Sequence, residues 1–397
     1  MTDSEQAQPE QAGSVELSIV LPCLNERETL AACVRDGFAL LERAGVSGEV
    51  IVADNGSTDG SDTIATESGA RLVRVAERGY GAAILGGIRA ANGTFVLIAD
   101  ADQSYSLLEG DRFLERLRAG ADLVVGSRLR GEIRPGAMPW KNRWIGNPLL
   151  SLAARVLFRC PVSDFHCGMR AVRREGVPSL DLRTTGMEFA TEMIVKARLR
   201  GLVIEEEPIT FHPDQRSGAP HLRPWRDGWR HLRFMILLSP LLTLIAPGLL
   251  LGALGIVLGV AVAAFGVRIG SAVLGPHTFV GACLMVIVGY EAVTVGIAAR
   301  VFALQEELGP PSRVLPKLLT IVNLERGLAI GALTIALGVA LIAVVAWRWA
   351  ERGFGPLPLE RTIVPMLSGA TLVTLGVQTL LMSVFYSMLG IPRRGSS

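Results

Sequence analysis

The sequence is short of the features that mark several common protein classes. Its 397 residues carry a formal net charge of +2, without the basic excess of a nucleic-acid-binding domain, so no nucleic-acid partner is expected. Its five cysteines, Cys23, Cys33, Cys160, Cys167 and Cys283, are odd in number and lack paired spacing. That excludes a disulfide framework and fits a reducing compartment. Cys160, His166 and Cys167 lack the fourth neighbour of a closed zinc site. The opening MTDSEQAQPEQAGS has no apolar core of the secretory kind and reads as a polar, disordered tail over residues 1–15. Lysine occurs only at Lys141, Lys196 and Lys317, a bias that codon usage alone explains.

Apolar residues are abundant but unevenly spread. Residues 16–222 mix charged and apolar side chains like a soluble domain, whereas long uncharged runs dominate residues 241–397. Leu241 to Val267, Thr278 to Ala299, Leu328 to Trp347 and Ile363 to Leu389 each meet the ~20 apolar residues needed to cross a hydrocarbon core of about 30 Å. An even number of spans returns the C-terminus to the side of the soluble domain. Arg300, Arg313, Lys317, Arg326, Arg393 and Arg394 then lie inside, as the positive-inside tendency asks of a multi-pass cell-membrane protein with a cytoplasmic soluble domain. Arg348, Arg352 and Arg361 run against that tendency in the outer loop, where Glu351 and Glu360 accompany them. Glu291 falls inside the second span; a structural partner such as Arg300 or a helix backbone and a functional role are both open.

Residues 223–240 read as an interfacial helix. Trp225, Trp229, Leu232 and Ile236 recur at helical spacing while Arg223, Arg226, Arg230 and Arg233 fill other faces, a pattern suited to the headgroup layer of a lipid bilayer. An ordinary amphipathic helix packed on the soluble domain is the alternative. NPLLSLAARVLFRC is a second stretch that is apolar on one side.

In the soluble half, LSIVL, EVIVA, RLVRV, TFVLIA and DLVVG alternate with helical patterns, beginning with a helix from about Arg27 to Ala44. This predicts a mostly parallel sheet with helices on both faces. Ligands of such sheets bind beyond the carboxyl ends of the strands, which here are PCLNE, DNGSTDG, ERGYG, DADQSYS and GSR. Asp54 can accept from a base N–H, and Asp59 is placed to cap a helix; equally, DNGSTDG is a turn followed by a cap. Gly79 and its neighbours can bring backbone close to a phosphate or sugar, although ERGYG matches neither the dinucleotide nor the P-loop pattern. Asp100 and Asp102 end a buried strand at i and i+2, where their repulsion is relieved by a divalent cation or by service as capping residues.

These segments, in this order, resemble glycosyltransferase family 2, and within it the polyprenyl-phosphate (dolichol-phosphate) sugar synthases. LPCLNERETL, ADNGSTDG, ERGYGAAILGGIRAANG, DAD, GSR, DFHCGMRA and EEPITF followed by RSG carry the likeness over nearly the whole chain. The resemblance implies an α/β GT-A (Rossmann-like) catalytic domain, interfacial amphipathic helices and a four-helix transmembrane domain. It further implies a UDP- or GDP-hexose donor, a polyprenyl phosphate acceptor and inversion at the anomeric carbon. Carried over by position, Pro22, Asn25, Glu26, Asp54, Gly79 and Asp100 bind the donor, Asp100 and Asp102 hold Mg2+ or Mn2+, and Arg128, Arg143 and Asn147 receive the acceptor phosphate. Asp102, Arg128 and Arg216 are the expected catalytic residues. A phosphate monoester is ionised near neutral pH and needs no protein base, so arginines rather than histidines suit the task.

The chain also departs from the family pattern. Ser104 stands where relatives often carry glutamine, His221 where they carry lysine, and Asn147 where they carry serine. Glu188 and Glu192 lie one helical turn apart and suit either sugar hydroxyls or salt bridges. A polysaccharide synthase of the same family usually carries Gln-x-x-Arg-Trp, which is missing here. A non-catalytic nucleotide-sugar-binding scaffold is the rival of another class.

Overall fold

The computed structural model describes residues 15–216, 224–265, 268–269, 272–305 and 324–389. All but the last residue of the expected tail lies outside the described residues, as do His221, Arg223, Arg313, Lys317, Arg393 and Arg394. Contacts divide the chain into two units, Met1–Met235 and Ile236–Ser397.

In the first unit the β-branched runs form β1 (Leu17–Cys23), β2 (Gly48–Asp54), β3 (Arg71–Arg74), β4 (Phe95–Ile98) and β5 (Leu123–Ile133). Between them come α1 (Leu30–Ala44), α2 (Ser61–Glu67), α3 (Tyr80–Ala90) and α4 (Gly110–Arg118). Helix α1 buries Leu30, Cys33, Val34, Gly37, Leu40 and Leu41, a spacing of three and four that lays one face on the sheet, and it stops where Gly45 turns left-handed at φ 61°. It starts three residues later than expected, after Thr29, which stands at φ −113° and whose hydroxyl donates to the Ala101 carbonyl at 2.6 Å.

Helices α5 (Asn147–Phe158) and α6 (Phe189–Leu199) and strands β6 (Arg170–Arg173) and β7 (Ile204–Phe211) complete the sheet, whose order is β3-β2-β1-β4-β6-β5-β7. β6 runs antiparallel to both β4 and β5, while the other neighbours are parallel. The sheet is mostly parallel, as expected, with β6 its one antiparallel strand among the described residues: the chain skips a place after β4 and returns to fill it. This is the GT-A, Rossmann-like arrangement.

Helix α7 (Pro224–Leu238) covers the interfacial segment and largely belongs to the first unit. Asp227, His231 and Met235, four residues apart, are buried, and His231 Nδ1 shares a 2.8 Å hydrogen bond with Thr191 of α6. Trp229 and Ile236 are exposed on other faces. This packing against the first unit is what the amphipathic-helix alternative expects.

The second unit contains α8 (Ala246–Phe265), α9 (Pro276–Gln305), α10 (Leu324–Glu351) and α11 (Leu359–Leu389). Among the described residues, four helices are long and apolar enough to cross a membrane. α8 meets α9 at glycines: a Cβ on Gly248 would lie 2.8 Å from the Gly289 carbonyl oxygen. α10 meets α11 in the same way, a Cβ on Gly338 lying 2.6 Å from the Gly369 carbonyl oxygen. Glu291 accepts from Gln378 Nε2 at 2.6 Å, a partner on α11 instead of Arg300 or backbone.

Candidate active site

β1 outruns β4. Val20 pairs with Ile98, but Leu21, Pro22 and Cys23 pair only with β2, so the missing N–H of Pro22 removes no bond to β4. The strand order also reverses here, with β2 and β3 on one side of β1 and β4 on the other. That makes a crevice at the carboxyl ends of β1 and β4, where open α/β sheets bind their ligands.

Arg216, just beyond β7, reaches across this crevice. Its Nη1 donates to Glu26 Oε1 at 2.8 Å, its Nη2 to Asp102 Oδ2 at 3.1 Å and its Nε to Asp214 Oδ2 at 2.7 Å. Burial pushes the Glu26 carboxyl up to about 7, with Arg216 opposing the rise. The other oxygen of Asp102 accepts from the Ser104 N–H at 2.9 Å and from the Ser104 hydroxyl. Asp100 accepts from the Tyr80 hydroxyl at 2.8 Å; burial, then the neighbouring Asp102, pushes its carboxyl up to about 6.

The described residues contain no group of three or more His, Cys, Asp or Glu able to hold a metal. Two hard carboxylates at a strand end are nevertheless the kind of oxygen donors that suit a divalent cation. Cys160, His166 and Cys167 form no such group either, and the thiols among the described residues are free.

The donor-side loops are stitched together. Asp54 accepts from the Gly56 and Ser57 N–H groups at 3.1 Å each, so its carboxylate already closes the turn. Asp59 accepts from the Ser61 and Arg27 N–H groups at 3.0 Å each, joining the β1 and β2 loops. Asn25, left-handed at φ 58°, accepts from the Thr58 N–H at 2.8 Å. Asn55 Oδ1 takes the Gly79 N–H at 2.7 Å.

The basic residues fall into two groups. Arg128 is buried and forms a fork with Asp164, Nε to Oδ2 at 2.7 Å and Nη2 to Oδ1 at 2.9 Å, while its guanidinium lies 5.2 Å from the Phe211 ring centre. Although burial works against it, Arg128 holds the Asp164 carboxyl below its usual range. Arg143 sits in a π-helical turn, Asn142–Gly146, over the exposed Trp144 ring at 5.3 Å. Asn147 meets the Met138 sulfur at 3.4 Å. Among the described residues, neither Arg143 nor Asn147 hydrogen-bonds to the carboxylate cluster.

Glu192 is fully buried, paired with Lys196 at 2.8 Å and accepting from the Thr184 N–H at 2.9 Å, which gives it a structural place. Among the described residues, one buried oxygen of Glu188 has no hydrogen-bond partner. Tyr80 and Asp164 escaped the sequence reading as site residues, although each stands inside a quoted motif, ERGYG and DFHCGMRA.

Beneath α7 the rings of His166 and His231 meet edge to face at 4.4 Å. Burial lowers both imidazoles, His231 from 6.5 to about 4, with Arg170 next as a cause there and His231 next for His166. The unfolded chain thus binds more protons in this range. The stability these rings contribute is complete above pH 6.5 and is lost as the pH falls towards 4. The apparent melting midpoint of the full chain should fall across that window, and His231→Gln should flatten part of the slope, as measured by thermal scans at stepped pH.

The family model for glycosyltransferase family 2 matches residues 18–180, and that for the family's C-terminal transmembrane region matches residues 297–390. The low-salt glycan biosynthesis hexosyltransferase Agl6 of Haloferax volcanii is 37% identical over 375 residues, covering 94% of this chain and 89% of its own. The dolichyl-phosphate hexose transferase of the same organism is 30% identical over 215 residues, covering 54% of this chain and 89% of its own. A solved glucosyl-3-phosphoglycerate synthase from Mycobacterium tuberculosis, in complex with Mn2+, UDP-glucose and phosphoglyceric acid, aligns with 56% of this chain and 79% of its own at 24% identity and a TM-score of 0.46.

Proposed function

The chain belongs to glycosyltransferase family 2, and from that premise we propose that it moves a hexose from a nucleotide-sugar to a polyprenyl phosphate at the cytoplasmic face of the membrane. The observation that carries the proposal is the crevice cluster itself: Asp100, Asp102, Glu26 and Arg216 gather at the β1/β4 switch point of a chain whose described residues also include four long apolar helices. The dolichyl-phosphate relative supports the choice of acceptor.

In this reading Asp100 and Asp102 would hold Mg2+ or Mn2+, and that cation would take up negative charge on the departing diphosphate. Pro22, Asn25, Glu26, Asp54 and the Gly79 turn border the nucleoside side. The acceptor phosphate oxygen attacks the anomeric carbon from the opposite face, the bond to the diphosphate breaks, and the configuration inverts. Arg128 is oriented by Asp164, and its Nη1, free of protein acceptors among the described residues, is the donor left for the acceptor phosphate. Arg143 and Asn147 approach the same headgroup. Arg216 exchanges its carboxylate partners for phosphate oxygens as the donor enters.

The lipid tail of the acceptor needs an apolar route. Trp144, Ile145, Leu149, Leu152 and Val156, on and just before α5, are exposed and lie beside Arg143 and Arg155, a surface suited to the headgroup layer.

Purified protein incubated with polyprenyl phosphate and a panel of labelled UDP- and GDP-hexoses, with and without Mn2+ or Mg2+, should carry label from one donor into the lipid phase. Label entering only a water-soluble glycan, or no transfer from any donor, would overturn the assignment.

A further inference from the structure

The two glycines of the RGYG turn offer no free N–H donors to a phosphate. Gly79 gives its N–H to Asn55 Oδ1 at 2.7 Å, and Gly81 gives its own to the Thr185 carbonyl at 2.9 Å. Both glycines are needed for contact rather than for a ligand. Gly79 has φ +136°, and a Cβ there would overlap the Thr185 carbonyl oxygen; a Cβ on Gly81 would lie 2.6 Å from the Thr184 carbonyl oxygen. The turn is therefore pinned against Thr184 and Thr185, and what it fixes in space is the side chain between the glycines. That side chain is Tyr80, whose hydroxyl donates to Asp100 Oδ1 at 2.8 Å.

The other oxygen of Asp100 is confined as well. Gly168, in DFHCGMRA, comes so near that a Cβ on it would lie 2.5 Å from Asp100 Oδ2. Gly168 is held in turn by Tyr105, whose hydroxyl accepts its N–H at 2.9 Å. One carboxylate at the end of β4 is thus oriented from two sides by segments distant in sequence.

We infer that Tyr80 is a positioning residue that aims the Asp100 carboxylate at the divalent cation, with Gly168 leaving the room that this orientation needs. The inference rests on the metal-assisted transfer proposed above. Ligands of metal ions are commonly held by such outer hydrogen bonds, and losing one weakens metal binding by about 10–100-fold. Tyr80 removes no proton from either reactant; it fixes the direction of an oxygen.

The test is Mn2+ binding to the full chain in detergent, followed through the free-ion EPR signal in the presence of UDP or GDP. Tyr80→Phe should weaken binding by about 10–100-fold. The Mn2+ needed for half-maximal turnover should rise in parallel, and turnover at saturating Mn2+ should return. Gly168→Ala, which pushes on the opposite oxygen, should also weaken binding and serves as the readout if Tyr80→Phe fails to fold. Wild-type affinity in the variant measured would overturn the inference, whatever happens to its rate. Asp100→Asn separates the two levels: if it binds Mn2+ like the wild type, or if the wild type binds none, the metal seat itself is refuted. If Asp100→Asn loses the ion while Tyr80→Phe keeps it, only the role of Tyr80 falls.

Discussion

Arg128→Ala should destabilise the catalytic unit by about 3–5 kcal/mol as well as abolish transfer. Asp164 is fully buried, and its two oxygens are held by Nε, Nη2 and the backbone N–H of Arg128. Removing the guanidinium leaves a carboxylate without its counter-charge inside the fold, which is far worse than losing an exposed ion pair. For a domain of this size the loss corresponds to a fall in apparent melting midpoint on the order of 10 °C. Activity of the single variant alone therefore says little about acceptor binding. The pair Arg128→Met with Asp164→Leu supplies the comparison, since apolar residues of similar volume often replace a buried ion pair without loss of stability. The double variant leaves the Arg128 and His166 backbone N–H groups without the Asp164 acceptor, so it should melt below the wild type but above Arg128→Ala, and still fail to label polyprenyl phosphate. A double variant that folds and transfers sugar at the wild-type rate would show that Arg128 serves the fold alone.

Asp102→Asn should lower transfer by about 10²–10³-fold, the usual cost of removing one electrostatic contributor from a water-poor site. Here the fold should hardly notice. Asparagine keeps the Oδ1 that closes the turn with the Ser104 N–H, and the Arg216 guanidinium still has Glu26 and Asp214 as partners. What disappears is one negative charge facing the crevice. Initial rates of label transfer, read beside unchanged thermal melts, would check this, and a rate within about threefold of wild type would contradict the placing of Asp102 in the reaction.

Much of this arrangement could be read in the sequence, because apolar runs that end in polar residues mark both a strand and the point where its chemistry begins. LSIVL, EVIVA, RLVRV, TFVLIA and DLVVG all became strands; the loops after β1 and β4 supplied Glu26 and Asp102, whereas Asp54 ends β2 and Arg128, expected in a loop, lies within β5. The failures have physical causes. β6 reads as RAVR, with Arg170 buried on its way to the Cys167 and Phe165 carbonyls, so its pattern looks polar although it lies in mid-sheet. β7 contains three glutamates and Pro208, which a strand tolerates at the sheet edge where it has only β5 as neighbour. Asp164 lies 36 residues from Arg128, and Tyr80 lies 20 from Asp100. Neither pairing has a local period, and each depends on loops gathered at one end of the sheet. Arginine count in so arginine-rich a chain could not separate Arg128, fixed by a partner, from Arg143, stacked on an exposed tryptophan.

The backbone contacts at Gly248, Gly289, Gly338 and Gly369 make the two helical hairpins cohere by shape. Lipid offers such helices no hydrophobic gain on association, so their cohesion comes from dispersion forces and carries little heat-capacity change. The catalytic unit, built on a water-excluding core, has a strongly curved stability profile with temperature. Calorimetry of the whole chain will accordingly superpose two melts of different curvature, and a single fitted enthalpy would belong to neither.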